Sequence, residues 1–207
     1  MDDAQQASAD RMLLIYLGDY VDRGPDSRRV IDRLIEGPPQ PFESVFLKGN
    51  HEAFMLHFLG DASVGELWLH NGGAETLASY GIEAASAGGG DLGAIQARLR
   101  AALPAAHREF LETLRLMHVE GDYLFVHAGV RPGVALDGQS ERDLLWIRDE
   151  FLHAKGPFPK IVVHGHSIHP TPEFMDYRIG IDTGAYATGT LTALVLQGGT
   201  RTILQTR

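Results

Sequence analysis

Four short apolar runs along the chain each end beside a glycine and a polar residue. They occupy residues 13–17, 45–47, 123–126 and 161–163. An apolar run of this length bounded by turn residues is typical of a buried strand. The pattern therefore predicts four strands that deliver polar side chains at their carboxyl ends, where open α/β sheets place ligand sites.

Apolar residues spaced for one helix face separate some of these strands. They predict a helix from Ser27, as N-cap, to Ile35, another at about 53–59, and a largely helical stretch at about 60–116. A helix is also predicted at about 141–152, and strands dominate from Ile161 onward. We expect an α/β (α+β) fold, a two-sheet β-sandwich flanked by helices, as a single domain 1–207 with a helical cap insertion at about 60–116.

Composition narrows the classes of protein that the chain can represent. With 207 residues, 44% of them hydrophobic, it can bury a sizeable core. Its net charge of −9 argues against nucleic-acid and anionic-membrane partners, and no apolar run is long enough to span a membrane. The absence of cysteine excludes disulfides and thiolate chemistry and is compatible with the cytoplasm, which is the predicted location.

The segment Gly18-Asp19-Tyr20-Val21-Asp22-Arg23-Gly24 concentrates charge directly after the first strand. Asp19 and Asp22 lie too close in sequence to remain without a cation, and Arg23 or a metal ion would supply one. The alternative is a polar surface turn, or simple pairing of Asp22 with Arg23. The sequence predicts a charged site here and leaves those alternatives open.

Three further motifs follow in the same order as in a known family. They are Gly49-Asn50-His51-Glu52, His127-Ala128-Gly129 and Gly165-His166. Together with the segment at 18–24, they resemble the calcineurin-like metallophosphoesterases, and within them the bacterial phosphoprotein phosphatases. Residues 68–73 (Trp-Leu-His-Asn-Gly-Gly) also resemble a bacterial signature, which implies a wall over the phosphate site. A helix–turn–helix with Trp68 in the core is an equal alternative.

The resemblance implies which residues bind metal. Asp19 matches a carboxylate that bridges two metal ions, and Asn50, His127 and His166 match the remaining ligands of the second ion. Oxygen donors combined with imidazoles suit Mn²⁺, Fe or Zn²⁺ better than Mg²⁺ or Ca²⁺, and Mn²⁺ is the expected ion. His164, two residues before His166, is expected to be a hydrogen-bonded core histidine rather than a ligand.

The resemblance also assigns catalytic roles. His51 matches the general acid that protonates the leaving oxygen, and Asp22 would orient it through the other ring nitrogen. Arg23 and Arg148 match the two arginines that bind phosphate oxygens, a task that the forked guanidinium suits. A metal-activated hydroxide would be the nucleophile.

The family's first motif, Gly-Asp-x-His-Gly, is missing from the chain. It would supply most ligands of the first metal ion, so only the second-metal site is complete. The polar residues 1–11 resemble the linker that would follow the family's first strand and helix. We therefore expect a chain that starts at an internal methionine or is truncated, with impaired activity, and an in-frame Gly-Asp-x-His-Gly upstream of the start codon would test this.

Three functions are compatible with these residues. The leading prediction is a metal-dependent phosphatase acting on phosphoserine and phosphothreonine proteins or small phosphate esters. A symmetrical dinucleoside-polyphosphate hydrolase is one alternative, and a non-catalytic chain that binds metal or phosphate is another. The sequence leaves the oligomeric state open.

Overall fold

The computed structural model describes residues 11–83 and 91–206. The chain divides into two compact units, which we call the sheet unit (residues 11–17, 38–47 and 115–206) and the helical unit (residues 18–37, 48–83 and 91–114). Residues 1–10 of the predicted linker lie outside the described part. The single domain with an insertion at about 60–116 stays a prediction.

Short strands and helices alternate along the described residues. In chain order, the strands are β1 (Met12–Tyr16), β2 (Phe42–Phe46), β3 (Met117–Glu120), β4 (Tyr123–Val126), β5 (Ile161–His164), β6 (Glu173–Phe174), β7 (Arg178–Gly180), β8 (Thr192–Gln197) and β9 (Thr200–Gln205). The α-helices are α1 (Ser27–Glu36), α2 (Asn50–Gly60), α3 (Gly65–Trp68), α4 (Ala74–Ser79), α5 (Leu92–Ala102), α6 (Ala105–Glu112), α7 (Glu141–Trp146), α8 (Asp149–Leu152) and α9 (Ala185–Thr188). Among these, no helix is long and apolar enough to cross a membrane.

The sheet unit is built around a five-stranded mixed sheet. Its order is β3-β4-β5-β7-β6, with β4, β5 and β7 parallel and the two outer pairs antiparallel. β1 and β2 form a parallel pair, and β8 and β9 an antiparallel hairpin. β3 and β4 form a hairpin, with Glu120 paired to Tyr123 across the turn.

Alternating side chains give the five-stranded sheet two buried faces. On one face, Phe125, Val163 and Ile179 pack in one core with apolar residues of β1, β2 and β8. On the other face, Leu124 and Val162 pack against residues of α7, α8 and their junction. The predicted α/β class, with sheets flanked by helices, is confirmed.

The helical unit buries its own apolar core. The side chains with no exposed surface include Ile31, Met55, Phe58, Trp68 and Leu77. Side chains of α5 satisfy carbonyl groups at the end of α2: Gln96 Nε2 donates to Phe58 O (2.7 Å), and Arg100 Nε donates to Leu59 O (2.8 Å). These bonds replace the partners that the last turn of a helix lacks.

Three local expectations differ from the structure. Ser27 is the first residue of α1 rather than its N-cap, which is Asp26. α2 begins at Asn50 instead of 53, because the Glu52 side chain accepts a hydrogen bond from the N–H of Gly49 and caps the first turn. The predicted helix at 141–152 is interrupted at residues 147–148 between α7 and α8.

Candidate metal centre and active site

Four residues of the predicted site have a positive backbone φ, which residues other than glycine rarely adopt. Asp19 (φ 59°), Asp22 (φ 73°), Arg23 (φ 62°) and His166 (φ 61°) are the non-glycine residues with positive φ in the part of the chain that the structure describes. Such conformations cost of order 1–3 kcal/mol each and persist only where their surroundings enforce them. Their restriction to these four positions makes the two loops candidates for a functional site.

Two glycines of different motifs pack back to back in the helical unit. A Cβ on Gly18 would lie 2.5 Å from Gly49 N, and a Cβ on Gly49 would lie 2.2 Å from Asp19 Oδ1. Both distances are far below van der Waals contact, so neither position has room for a side chain. The glycines let the loop that carries Asp19 approach the start of α2, which carries Asn50 and His51.

Glu52 fastens the same two segments together. Its Oε2 accepts hydrogen bonds from the N–H groups of Gly49 (2.7 Å) and Asp19 (2.9 Å). Its Oε1 accepts from the N–H groups of Tyr20 (2.6 Å) and Val21 (3.2 Å). The side chain is fully buried, and this burial raises its pKa to about 7; the Asp19 carboxylate adds to the rise and the backbone donors oppose it.

His51 and Asp22 form a buried hydrogen-bonded pair. His51 Nδ1 lies 2.7 Å from Asp22 Oδ2, and the side chains are 4% and 0% exposed. Asp22 also accepts hydrogen bonds from Trp68 Nε1 (3.1 Å to Oδ2) and from Thr76 Oγ1 (2.7 Å to Oδ1). Because an ionised carboxylate can only accept, three converging donors fit Asp22 in its ionised form. His51 Nδ1 then carries the shared proton, which leaves Nε2 as the nitrogen that exchanges protons.

Opposing effects act on the pKa values of this pair. Burial raises the pKa of Asp22, whereas the hydrogen bonds from His51, Thr76 and Trp68 lower it. Burial lowers the pKa of His51, but the hydrogen bond to Asp22 and the charges of Asp19 and Asp22 outweigh it. The pKa of His51 therefore lies above its ordinary value of 6.5. A raised pKa favours the protonated imidazolium, which is the form that a general acid requires.

Arg23 is exposed, and its backbone is fixed by the segment at 68–73. Its N–H donates to the carbonyl of Gly72 (3.1 Å), and Gly72 itself has a φ of 103°. A Cβ on Gly72 would lie 2.6 Å from Arg23 N, so this close approach requires glycine. Trp68 is buried in the core and also donates to Asp22, so part of this segment supports the predicted site. Its role as a wall over phosphate stays a prediction.

His127 and His166 come together in the sheet unit. Their rings pack edge to face with centroids 5.1 Å apart, and both residues are buried. His127 Nδ1 lies 2.7 Å from the carbonyl oxygen of Leu17. Because a carbonyl only accepts, Nδ1 carries the proton, and Nε2 presents the lone pair that a metal ligand needs. The N–H of Gly165 donates to His127 O (2.8 Å), which ties the two loops together.

His164 has the surroundings of a core histidine. Nδ1 lies 3.0 Å from the carbonyl oxygen of Gly165, and Nε2 lies 3.4 Å from Arg178 Nη1. Burial lowers its pKa to about 4, so the imidazole is neutral near pH 7. These contacts are those expected of a hydrogen-bonded structural residue.

Arg148 lies at the interruption between α7 and α8. Its carbonyl oxygen accepts hydrogen bonds from the N–H groups of Phe151 (2.9 Å) and Leu152 (2.8 Å), which begins α8, while its side chain is exposed. The ring of Trp146, two residues earlier, lies nearly perpendicular to the ring of His166, with centroids 6.2 Å apart. This geometry brings the Trp-x-Arg segment to the loop that carries His166.

Each unit thus assembles part of the predicted set. The helical unit brings together Asp19, Asp22, Arg23, Asn50 and His51, and the sheet unit brings together His127 and His166 and places Arg148 after Trp146. Sequence reasoning assigned no role to Glu52 or Thr76, which hold the Asp19 loop and Asp22 in place. Glu52 had one signal, its place at the third residue of a helix, from which a carboxylate can accept from the N–H of the N-cap residue, here Gly49.

Comparisons with known proteins agree with the motifs. The family model of the calcineurin-like phosphoesterases matches residues 2–189, so the chain belongs to this family of divalent-metal-dependent metallophosphoesterases. The predicted broader family is therefore confirmed, and the narrower phosphoprotein phosphatase assignment stays a prediction.

Among individual proteins, the chain is similar in sequence to enzymes named as tetraphosphatases. The chain is 26% identical over 203 residues to asymmetrical bis(5'-nucleosyl)-tetraphosphatase PrpE of Halalkalibacterium halodurans, covering 89% of the chain and 75% of the relative. The protein of the same name from Bacillus thuringiensis is also 26% identical over 203 residues, covering 89% and 76%. A crystal structure assigned as a diadenosine tetraphosphatase superposes with a TM-score of 0.58 at 22% identity, covering 93% of the chain and 80% of that protein, which supports the fold.

Proposed function

We propose that the chain is a metal-dependent hydrolase that cleaves dinucleoside tetraphosphates asymmetrically. The observation that carries the chemistry is the buried His51–Asp22 pair, which orients an imidazole of raised pKa. A chain that only binds phosphate has no need of an oriented leaving-group acid. The substrate class is supported by the relatives, which are named as asymmetrical tetraphosphatases.

Asp19, Asn50, His127 and His166 are the proposed metal ligands. A carboxylate, an amide oxygen and two imidazoles form a donor set that fits Mn²⁺, Fe or Zn²⁺. The tautomer of His127, fixed by Leu17 O, is the one that a ligating Nε2 requires. When bound, the metal supplies positive charge to the phosphate and lowers the pKa of the attacking water. We propose Mn²⁺ as the natural ion.

The chain's own residues would perform the remaining tasks. His51 Nε2 would donate its proton to the leaving oxygen, while Asp22 holds Nδ1 and stabilises the positive charge of the imidazolium. Arg23 and Arg148 would bind phosphate oxygens, since a guanidinium offers two parallel N–H donors to an oxyanion. The phosphate of the substrate would then be bound by positively charged arginines, and its leaving oxygen would be protonated by His51.

Product analysis tests the proposal directly. The Mn²⁺-loaded protein is incubated with diadenosine tetraphosphate, and the nucleotides are separated by anion exchange. Asymmetric hydrolysis gives one ATP and one AMP, whereas symmetric hydrolysis gives two ADP. The expected products are ATP and AMP. We expect kcat/KM for the dinucleotide to exceed that for a phosphoserine peptide by at least about tenfold, which corresponds to about 1.4 kcal/mol of differential transition-state binding.

Other outcomes point to the other functions. Two ADP would support the symmetrical alternative, and a higher kcat/KM for the phosphopeptide would support a protein phosphatase. Bound metal without hydrolysis of either substrate or of p-nitrophenyl phosphate would support a non-catalytic binding chain. Metal stoichiometry measured on the same sample separates this last outcome from simple loss of metal.

A further inference from the structure

A cleft of about 530 Å³ opens in the sheet unit beside the interruption between α7 and α8. We call it the Trp146 cleft; residues that line it include Arg131, Arg142, Asp143, Trp146, Arg148 and Glu150. Its volume falls within the range of small-molecule sites in proteins. The motifs assign Arg148 to phosphate binding but give no role to the rest of the cleft.

The indole of Trp146 is a large apolar surface left in contact with solvent. Trp146 is 39% exposed, whereas the chain's other tryptophan, Trp68, is completely buried. The Trp146 ring lies nearly perpendicular (81°) to the ring of His166, a proposed metal ligand. A flat aromatic surface beside a phosphate site is suited to stacking against a planar ring.

Three arginines and three carboxylates line the cleft, so its formal net charge is zero and an anionic ligand needs arginines that form no ion pair. Arg131 forms a bidentate pair with Asp143 (2.9 Å and 2.6 Å) and an ion pair with Glu150 (2.8 Å), so the charge of Arg131 is compensated within the wall. Arg142 and Arg148 form no ion pair with the residues that the structure describes. Arg142 lies four positions before Trp146 on α7, on the same helix face.

We propose that the Trp146 cleft binds a nucleoside phosphate portion of the substrate, with the base stacked on Trp146 and phosphate oxygens bound by Arg142 and Arg148. This inference rests on the proposed dinucleotide substrate and adds the residues that recognise it. An aromatic face next to two arginines offers both recognition elements of a nucleotide, because every base has a π-face and every phosphate accepts from guanidinium. Phosphopeptides lack the planar base.

Binding is tested on the metal-loaded full chain without turnover. The probe is α,β-methylene-ADP, whose bridging methylene resists hydrolysis, and methylenediphosphonate is the matched probe without a base. The first should quench the exposed tryptophan emission saturably, and the second should bind at least about tenfold more weakly, as the loss of one base stack predicts. Equal affinities for the two probes would overturn the stacking role.

Variants assign the signal to the cleft. In Trp146→Phe the quenching should vanish, while calorimetry shows affinity within about threefold, because an aromatic ring remains. Trp146→Ala should lose about tenfold or more in affinity. Arg142→Ala should weaken binding severalfold and the exposed-helix control Arg98→Ala should not. Undiminished quenching in Trp146→Phe, or equal effects of the two arginine variants, would contradict the proposal.

Kinetics separates this inference from the proposed function. If the cleft binds part of the substrate, α,β-methylene-ADP should raise KM for diadenosine tetraphosphate without lowering kcat, and Trp146→Ala should raise the same KM about tenfold. A lowered kcat at unchanged KM would mean a separate effector nucleotide and would overturn the substrate role. Nucleotide binding without any hydrolysis of the dinucleotide would refute the proposed function and leave the cleft assignment standing.

Discussion

His51 Nδ1 lies 2.7 Å from Asp22 Oδ2, and both side chains are almost completely excluded from solvent. Trp68 and Thr76 donate to the same carboxylate, so Asp22 cannot rotate without losing three hydrogen bonds. The carboxylate thereby fixes the imidazole ring and the nitrogen that exchanges protons. A buried, oriented pair of this kind fits a proton donor better than a surface turn.

Replacing His51 with alanine should lower turnover by roughly 10²–10⁴ while metal content stays near that of the wild type. The loss should be larger for phenyl phosphate than for p-nitrophenyl phosphate, because a poorer leaving group depends more on protonation. Steady-state kinetics with both esters measures this difference. His57→Ala, an exposed histidine on the same helix, is the control. Equal losses for both esters would remove His51 as the acid.

Much of the fold could be predicted because burial in this chain follows simple periodicity. In β4, Leu124 and Phe125 face opposite sides of the sheet, and both sides are buried, so the strand reads as a continuous apolar run. The apolar runs of β1 and β5 arise from burial in the same way. The interruption at residues 147–148 was missed because an apolar helical pattern continues through it. Strand β6 has only two residues, too few for any periodicity to predict it.

The residues of the candidate site that belong to motifs could be predicted from the sequence. The residues that hold them in place could be predicted less well. Asp19, Asn50 and His127 lie within four residues of the end of a strand, so their sequence neighbours reveal them. Glu52 and Thr76 were not assigned because their roles depend on tertiary hydrogen bonds, in the case of Thr76 to an Asp22 carboxylate 54 positions away. Positive φ at non-glycine residues also has no sequence signal, and in the described residues it occurs at four residues of the candidate site.

Glu52→Gln should destabilise the protein by about 1–3 kcal/mol. The amide keeps one acceptor oxygen but turns the other position into an NH₂ group, which faces two backbone N–H donors and leaves them unsatisfied. Urea unfolding measures the loss, and Mn²⁺ titration should show weaker binding because the Asp19 loop loosens. Glu66→Gln, an exposed carboxylate in the same unit, should change neither quantity. Unaltered stability of Glu52→Gln would show that the clamp is dispensable.

Asp19→Asn should reduce both bound metal and activity. The substitution keeps the shape of the side chain but removes the negative charge that the proposed bridging ligand supplies to a cation. Elemental analysis after Mn²⁺ loading and desalting measures stoichiometry, and p-nitrophenyl phosphate hydrolysis measures activity. Asp26→Asn, an exposed aspartate outside the site, is the matched control. Full metal stoichiometry in Asp19→Asn would contradict its role as a ligand.

Two glycines near α2 provide a matched test of the close approach between motifs. In Gly49→Ala the new Cβ would lie 2.2 Å from Asp19 Oδ1 and 2.5 Å from Asp19 N, and backbone cannot give way cheaply, so a loss of about 1–3 kcal/mol is expected. In Gly60→Ala the Cβ meets nothing within 4 Å, and the helix should be stabilised by up to about 1 kcal/mol. Thermal unfolding of both variants measures the contrast, and Mn²⁺ content should fall only in Gly49→Ala. The new Cβ of Gly49→Ala is directed at Asp19 itself. Loss of metal in Gly49→Ala but not in Gly60→Ala would therefore show that Gly49 maintains the geometry of the proposed ligand. Equal metal content in the two variants would refute this role.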